Sequence, residues 1–228
     1  MESATLAAPG ARSAKPAVIG PAEDALARLP HGPRILIIGA AQPAAFGDLR
    51  LGVRLGRELA GRGGVVVTGG CQGLTYAAVR GAASSGGAAV AVAPWSTMSQ
   101  LREAGDPLRG FSHVWLTKVP ADLKRLGIEE GRFNHWSHRQ THDVVVADAV
   151  VVTPGHGGTL GELGNALALK RPIAVLQPPG EAGAKFVRAM RAYTDFYRIE
   201  KRQPLIRFFK DPAKLAAWVI EQSRLVER

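Results

Sequence analysis

The stretch VVTPGHGGTLGELGNALALK, residues 151 to 170, runs from an apolar segment through a glycine cluster into a helical pattern, with His156 and Glu162 inside the junction. Glycine carries no Cβ, so the backbone N–H groups of Gly155, Gly157 and Gly158 could close on an anion. A helix starting at Thr159 would add its own unpaired N–H groups and partial positive charge. Read this way, the junction is a phosphate cradle and Glu162 a catalytic carboxylate. A second reading stands beside it. Thr159-Leu-Gly-Glu162 has the spacing of a capping box, in which hydroxyl and carboxylate satisfy two N–H groups at a helix start and do no chemistry.

A second turn of the same kind, VVVTGGCQGLTYAA at residues 65–78, places Gly69, Gly70 and Gly73 between a strand and a helix. Neither turn has the G-x-G-x-x-G spacing of the dinucleotide fingerprint or the Gly-Lys-Ser/Thr of a P-loop, so ordinary NAD and ATP readings lose ground. Arg139 offers a planar fork of donors suited to a phosphate or a carboxylate. It could equally pair with Asp143 one helical turn on, as a surface ion pair worth well under about 1 kcal/mol. His135, His138 and His142 recur at i, i+3 and i+7, with His156 nearby, but a metal site needs a firm third ligand and none is expected. Cys71 reads as a small buried thiol, not a nucleophile.

These residues need elements to hold them. RILIIG, GVVVTGG, AAVAVAP, SHVWLTK, AVVVTPG, PIAVLQ and LIRFF read as short apolar strands. Between them lie helical patterns, among them residues 45–63, where Leu49, Val53, Leu55 and Leu59 suggest one face, and residues 131–148 carrying Arg139. The closing helix DPAKLAAWVIEQSRLVE has Asp211 as N-cap and Pro212 at its first position. Continuous apolar strands alternating with helices predict an α/β fold: a doubly wound, Rossmann-like parallel sheet flanked by helices, in a single domain. Residues 1–30, rich in Ala, Pro and Gly without periodicity, read as a mobile N-terminal tail, leaving 31–228 as the domain. In such a sheet both glycine turns fall on the carboxyl edge, where ligands bind.

The chain has 228 residues, a formal charge of +10 and a single cysteine. One cysteine excludes an intramolecular disulfide and a cysteine-based zinc site. No apolar stretch approaches the roughly 20 residues of a membrane span, and no secretory signal opens the chain, so a cytoplasmic protein is expected. The charge favours anionic partners, but the basic residues are dispersed and no nucleic-acid motif accompanies them; nucleic acid is not an expected partner.

The segments VVTGGCQGLTYAAVRGA, SHRQTHDVVVADAVVVTPGHGGTLGEL and ALALKRPIAVL resemble the Lonely Guy family of nucleotide phosphoribohydrolases. The resemblance extends to the wider Rossmann superfamily once mislabelled lysine decarboxylases, which includes molybdenum-cofactor carriers. It spans roughly residues 34–225. The family pattern is Pro-Gly-Gly-x-Gly-Thr-x-x-Glu, preceded by a helical arginine and an Asp-Ala strand start. Pro154, Gly155, Gly158, Thr159 and Glu162 fall on that pattern, Asp148 and Ala149 on the strand start, and Arg139 on the arginine. His156 replaces the second glycine, Gly157 fills the variable position, Gly161 replaces an acidic residue, and Thr75 stands where methionine is usual.

The resemblance implies hydrolysis of the N-glycosidic bond of a nucleoside 5′-monophosphate, without metal or cofactor, by a homodimer. It places Glu162 and Arg139 in the active site and the phosphate on Gly155, His156, Gly157, Gly158 and Thr159, supported by Gly69, Gly70 and Gly73. The alternative it leaves open is a nucleotide or molybdenum-cofactor carrier of the same fold that does not turn over. A DNA-processing Rossmann protein is a third reading, favoured by charge alone.

Overall fold

The computed structural model describes residues 15–20, 25–41, 48–118, 124–125, 133–198 and 206–226; side chains of 133–138, 196–198 and 226 lie outside the described set. Eight strands form one all-parallel sheet: β1 (Ala17–Ile19), β2 (Arg34–Ile38), β3 (Val65–Thr68), β4 (Ala89–Ala93), β5 (His113–Leu116), β6 (Ala149–Val152), β7 (Ile173–Leu176) and β8 (Ile206–Phe209). Their order is β1-β5-β4-β3-β2-β6-β7-β8. Among the described residues seven helices flank the sheet: α1 (Leu49–Ala60), α2 (Leu74–Ser84), α3 (Met98–Glu103), α4 (Phe133–Val146), α5 (Gly157–Ala168), α6 (Gly180–Arg198) and α7 (Pro212–Val226).

The strands are apolar along their whole length because both faces are covered. Ile35 and Ile37 of β2 face a core shared with Leu55 and Leu59 of α1, Ala78 of α2 and Leu215 and Val219 of α7. Leu36 and Ile38, pointing the other way, join Val144 of α4, Leu163 of α5 and Met190 of α6. The apolar face expected for α1 is buried at Leu55 and Leu59, while Leu49 is exposed and Val53 half-buried, and Gly52 and Gly56 complete the buried face. A Cβ at Gly56 would lie 1.8 Å from the Ala78 carbonyl oxygen, so glycine, not leucine, sets how closely α1 meets α2. Asp211 caps α7 as expected, its Oδ1 accepting from the N–H of Ala213 at 2.6 Å.

Part of the stretch read as a tail is described, and there it forms regular structure. Ala17–Ile19 pair in parallel with β5, Ala17 opposite His113. Ile19, Ala25 and Leu29 are buried beside Trp115, covering apolar sheet surface that would otherwise meet water. Residues 1–14 and 21–24 lie outside the described set.

The strand order reverses between β2 and β6, which puts the topological switch point there, with the carboxyl-end turns of those two strands on either side of it. Register across the switch is pinned at the far end. Asp148 accepts the backbone N–H of Arg34 at 2.7 Å and pairs with its guanidinium at 3.3 Å. No helix among the described residues is long and apolar enough to cross a membrane.

Candidate functional site

The turn after β6 leads directly into α5, which begins at Gly157 with His156 as its N-cap. The first bond of the helix runs from the N–H of Leu160 to the His156 carbonyl at 3.2 Å, so the N–H groups of Gly157, Gly158 and Thr159 precede the helical ladder. This overturns the capping-box reading of Thr159 and Glu162. Thr159 is the third helical residue and Glu162 the sixth, a turn too deep to cap; both are buried. The capping box that does form is Thr97 with Gln100, at the start of α3.

Glu162 turns inward to Arg139 of α4. Arg139 Nη1 pairs with Glu162 Oε1 at 3.4 Å and, in tighter contact, with Asp143 Oδ2. The expected surface pair of Arg139 and Asp143 is thus an interior one: Asp143 has no exposed surface, Arg139 is 6% exposed and Glu162 7%. Helical spacing put Arg139 and Asp143 on one face, and α4 presents that face to α5 and the sheet. Within the cluster Arg139 Nε and Asp143 Oδ1 are buried without a hydrogen-bond partner.

Two carboxyls around one guanidinium leave one negative charge unbalanced if both ionise. Burial pushes Asp143 well above the usual carboxylate range, with Arg139 opposing and Glu162 adding to the rise. Burial also raises Glu162, against the pull of Arg139. For Arg139, burial works against the charge, but Asp143 and Glu162 outweigh it. Cys71 faces the same cluster, and burial pushes its thiol up to about 11, so at neutral pH it is an un-ionised thiol. Asp106, held by Trp95 Nε1 at 3.1 Å, also senses Arg139, and its carboxyl is raised by burial.

The first glycine turn supports this cluster by shape. A Cβ on Gly69 would sit 1.8 Å from Arg139 Nη1, so only glycine admits the guanidinium there. Gly70 has a φ of +79° and spends its N–H on Thr68 Oγ1 at 3.1 Å. Gly73, with φ +91°, would drive a Cβ to 2.3 Å from the Ala40 carbonyl oxygen.

In the second turn a Cβ on Gly155 would meet Thr159 Oγ1 at 2.0 Å and Ala40 N at 3.1 Å, and the Ala40 N–H donates to the Pro154 carbonyl at 2.9 Å. Gly158 lies against Gln140 Nε2, 3.1 Å from its would-be Cβ. A Cβ on Gly157 would meet nothing within 4 Å among the described residues outside its own stretch of helix. His156 is exposed and makes no capping bond with its side chain.

Ala40, just past β2, therefore sits between the two glycine turns. The sequence reading gave this β2 turn no role, although the first strand-to-helix turn beside a switch point is where a doubly wound sheet builds its cleft. Residues 42–47 of that turn lie outside the described set. So do the side chains of His135 and His138. His142 packs edge-on to Trp115, with ring centroids 5.4 Å apart.

Comparison with known proteins adds a family. Residues 33–206 match the SLOG cluster4 family. Among curated proteins, none matches the chain. Among solved structures, the molybdenum cofactor binding protein of the phototrophic bacterium Rippkaea orientalis is similar at 18% identity and a TM-score of 0.62, over 86% of this chain and 98% of that one. The molybdenum cofactor carrier protein of Chlamydomonas reinhardtii is similar at 22% identity and a TM-score of 0.56, over 84% and 98%. DNA processing protein A of Streptococcus pneumoniae reaches 17% and 0.56, over 85% of this chain and 62% of that one. At these identities the likeness establishes the fold.

Proposed function

The chain belongs to the SLOG cluster4 family, and from that premise we propose that it hydrolyses the N-glycosidic bond of a nucleoside 5′-monophosphate, in the manner of the Lonely Guy enzymes its motif resembles. The observation that carries this reading is the buried pair of Glu162, in the second turn of α5, and Arg139 of α4, near a helix start whose leading N–H groups suit a phosphate. As the C1′–N bond breaks, its electron pair goes to the base nitrogen and positive charge develops on the ribosyl centre. A carboxylate there stabilises that charge. Water forms the new C1′–O bond, and its proton passes to Glu162 and on to the departing base. Arg139 holds Glu162 in place, and the phosphate falls to the backbone of residues 155–159. The reading includes a homodimer, which sedimentation velocity tests.

Incubation with a panel of nucleoside monophosphates, read by chromatography for free base, tests the activity. Release of base by the wild type, lost about 10²- to 10⁴-fold in Glu162→Gln with the fold intact, is the expected result. No release from any member, together with tight nucleotide or molybdenum-cofactor binding, overturns it in favour of a carrier. Two observations favour that second reading: His156 occupies a glycine position of the motif, and the similar structures include proteins named for molybdenum-cofactor binding.

A further inference from the structure

Asp143 is not part of the motif that suggested the site, yet it is the most deeply buried member of the cluster. Its Oδ2 takes the closest contact of Arg139 Nη1, the nitrogen that also reaches Glu162 Oε1 at 3.4 Å. Its Oδ1 is buried and receives no hydrogen bond. A carboxylate oxygen in that position would hold negative charge with no donor to meet it, whereas a protonated oxygen needs none and can itself donate. Charge counting points the same way. Among the described residues, the ionisable groups facing Asp143 are Arg139 on its own helix, Glu162 on α5 and the un-ionised Cys71 on the β3 turn, with Asp106 also facing Arg139. One cation cannot neutralise two carboxylates in a dry interior, and like charges in such contact do not both ionise.

We propose that Asp143 and Glu162 hold one proton between them, resting on Asp143 and donated to Glu162 in a hydrogen bond. Asp143 is then the positioning residue that leaves Glu162 as the single carboxylate balancing Arg139. The two carboxyls contact the same guanidinium nitrogen, Arg139 Nη1, which brings them side by side. Glu162 is thereby fixed from two sides, by the guanidinium and by the Asp143 O–H, while remaining ionised at neutral pH. What this does for turnover rests on the reading of the site as a phosphoribohydrolase; the shared proton itself does not.

Difference infrared spectroscopy of the full chain at pH 7 tests the proton directly, through the C=O stretch of a protonated carboxyl. The wild type is expected to carry one such carboxyl more than Asp143→Asn. Glu162→Gln should lose the same band, because it leaves Asp143 alone with Arg139 and ionised. Absence of the band in the wild type, or its survival in either variant, overturns the proposal whether or not the protein releases base. Circular dichroism establishes that each variant is folded, and Glu162→Gln keeps the test decisive should Asp143→Asn fail to fold.

If base release is observed, Asp143→Asn, which keeps a donor toward Glu162, should exceed Asp143→Ala in kcat at least tenfold with KM similar in both. Equal loss in the two folded variants would overturn the positioning role. No base release in the wild type would instead sink the proposed function and leave the infrared result standing.

Discussion

The two glycine turns look alike in sequence and differ in structure. In the turn after β3, each glycine has a structural reason to be one: Gly69 admits Arg139, Gly70 has positive φ, and Gly73 combines positive φ with a close approach to Ala40. In the turn after β6, Gly155 and Gly158 have close neighbours, but a Cβ at Gly157 would meet none among the described residues. One turn is filled by the protein and serves as its scaffold. The other keeps open space at a helix start, beside the switch point. Glycine content alone does not mark a ligand site; what distinguishes Gly157 is that packing does not explain it.

The contrast is broken most severely at Gly73. Alanine there combines a left-handed backbone with a backbone clash, so Gly73→Ala should cost about 3 kcal/mol, read as a lowered urea midpoint. A midpoint within error of wild type would remove the scaffold assignment of the first turn. Gly157→Ala should do the reverse. Its urea midpoint should hold or rise by up to about 1 kcal/mol, as for glycine replaced within a helix, while affinity for nucleoside monophosphates falls about tenfold, or ~1.4 kcal/mol. Unchanged affinity by calorimetry would end the case for a cradle at Gly157.

A subtler effect concerns pH. A carboxyl raised in the folded state takes up a proton on folding, so its contribution to stability falls as pH climbs from about 4 through the raised value. Wild-type stability relative to Asp143→Asn should therefore decline between pH 5 and 9, followed by denaturant midpoints. A difference independent of pH would mean that Asp143 does not titrate in this range. The smallest change is expected from His156→Gly. Glycine is itself a fair N-cap and His156 makes no capping bond, so stability should move by less than about 0.5 kcal/mol. The range of monophosphates bound should widen, and an unchanged range would take His156 out of the specificity argument.

The strands after residue 30 were legible because a buried parallel sheet demands unbroken apolar runs, and RILII, VVVT and AVVV supply them. β1 was not legible. Three residues, Ala17–Ile19, carry too little pattern to stand out, and they are held by β5, almost a hundred residues away. Arg139 and Glu162 were found through a motif, and the pairing of Arg139 with Asp143 through spacing, but that pair was read as a surface one, since i,i+4 spacing cannot say whether a helix face meets water or a neighbouring helix. The false capping box has a similar cause. Thr159-x-x-Glu162 satisfies the local rule, yet the helix starts two residues sooner, following the turn that Ala40 and Pro154 hold closed. Thr97-x-x-Gln100 obeyed the same rule and formed the box, with Thr97 itself standing at the N-cap of its helix.

The bond from the Arg34 N–H to Asp148 joins residues 114 apart in the chain. Such a distant closure adds little to the thermodynamic cost of folding, because loop entropy grows only logarithmically, but it delays the rate. The sheet edge shared by the β2 and β6 turns exists only once those strands have paired. A ligand lying across that edge binds the folded chain alone, so it raises the melting temperature in proportion to the logarithm of its concentration. Thermal-shift screening of phosphorylated compounds can therefore find what the cleft accepts, whether or not anything is turned over there.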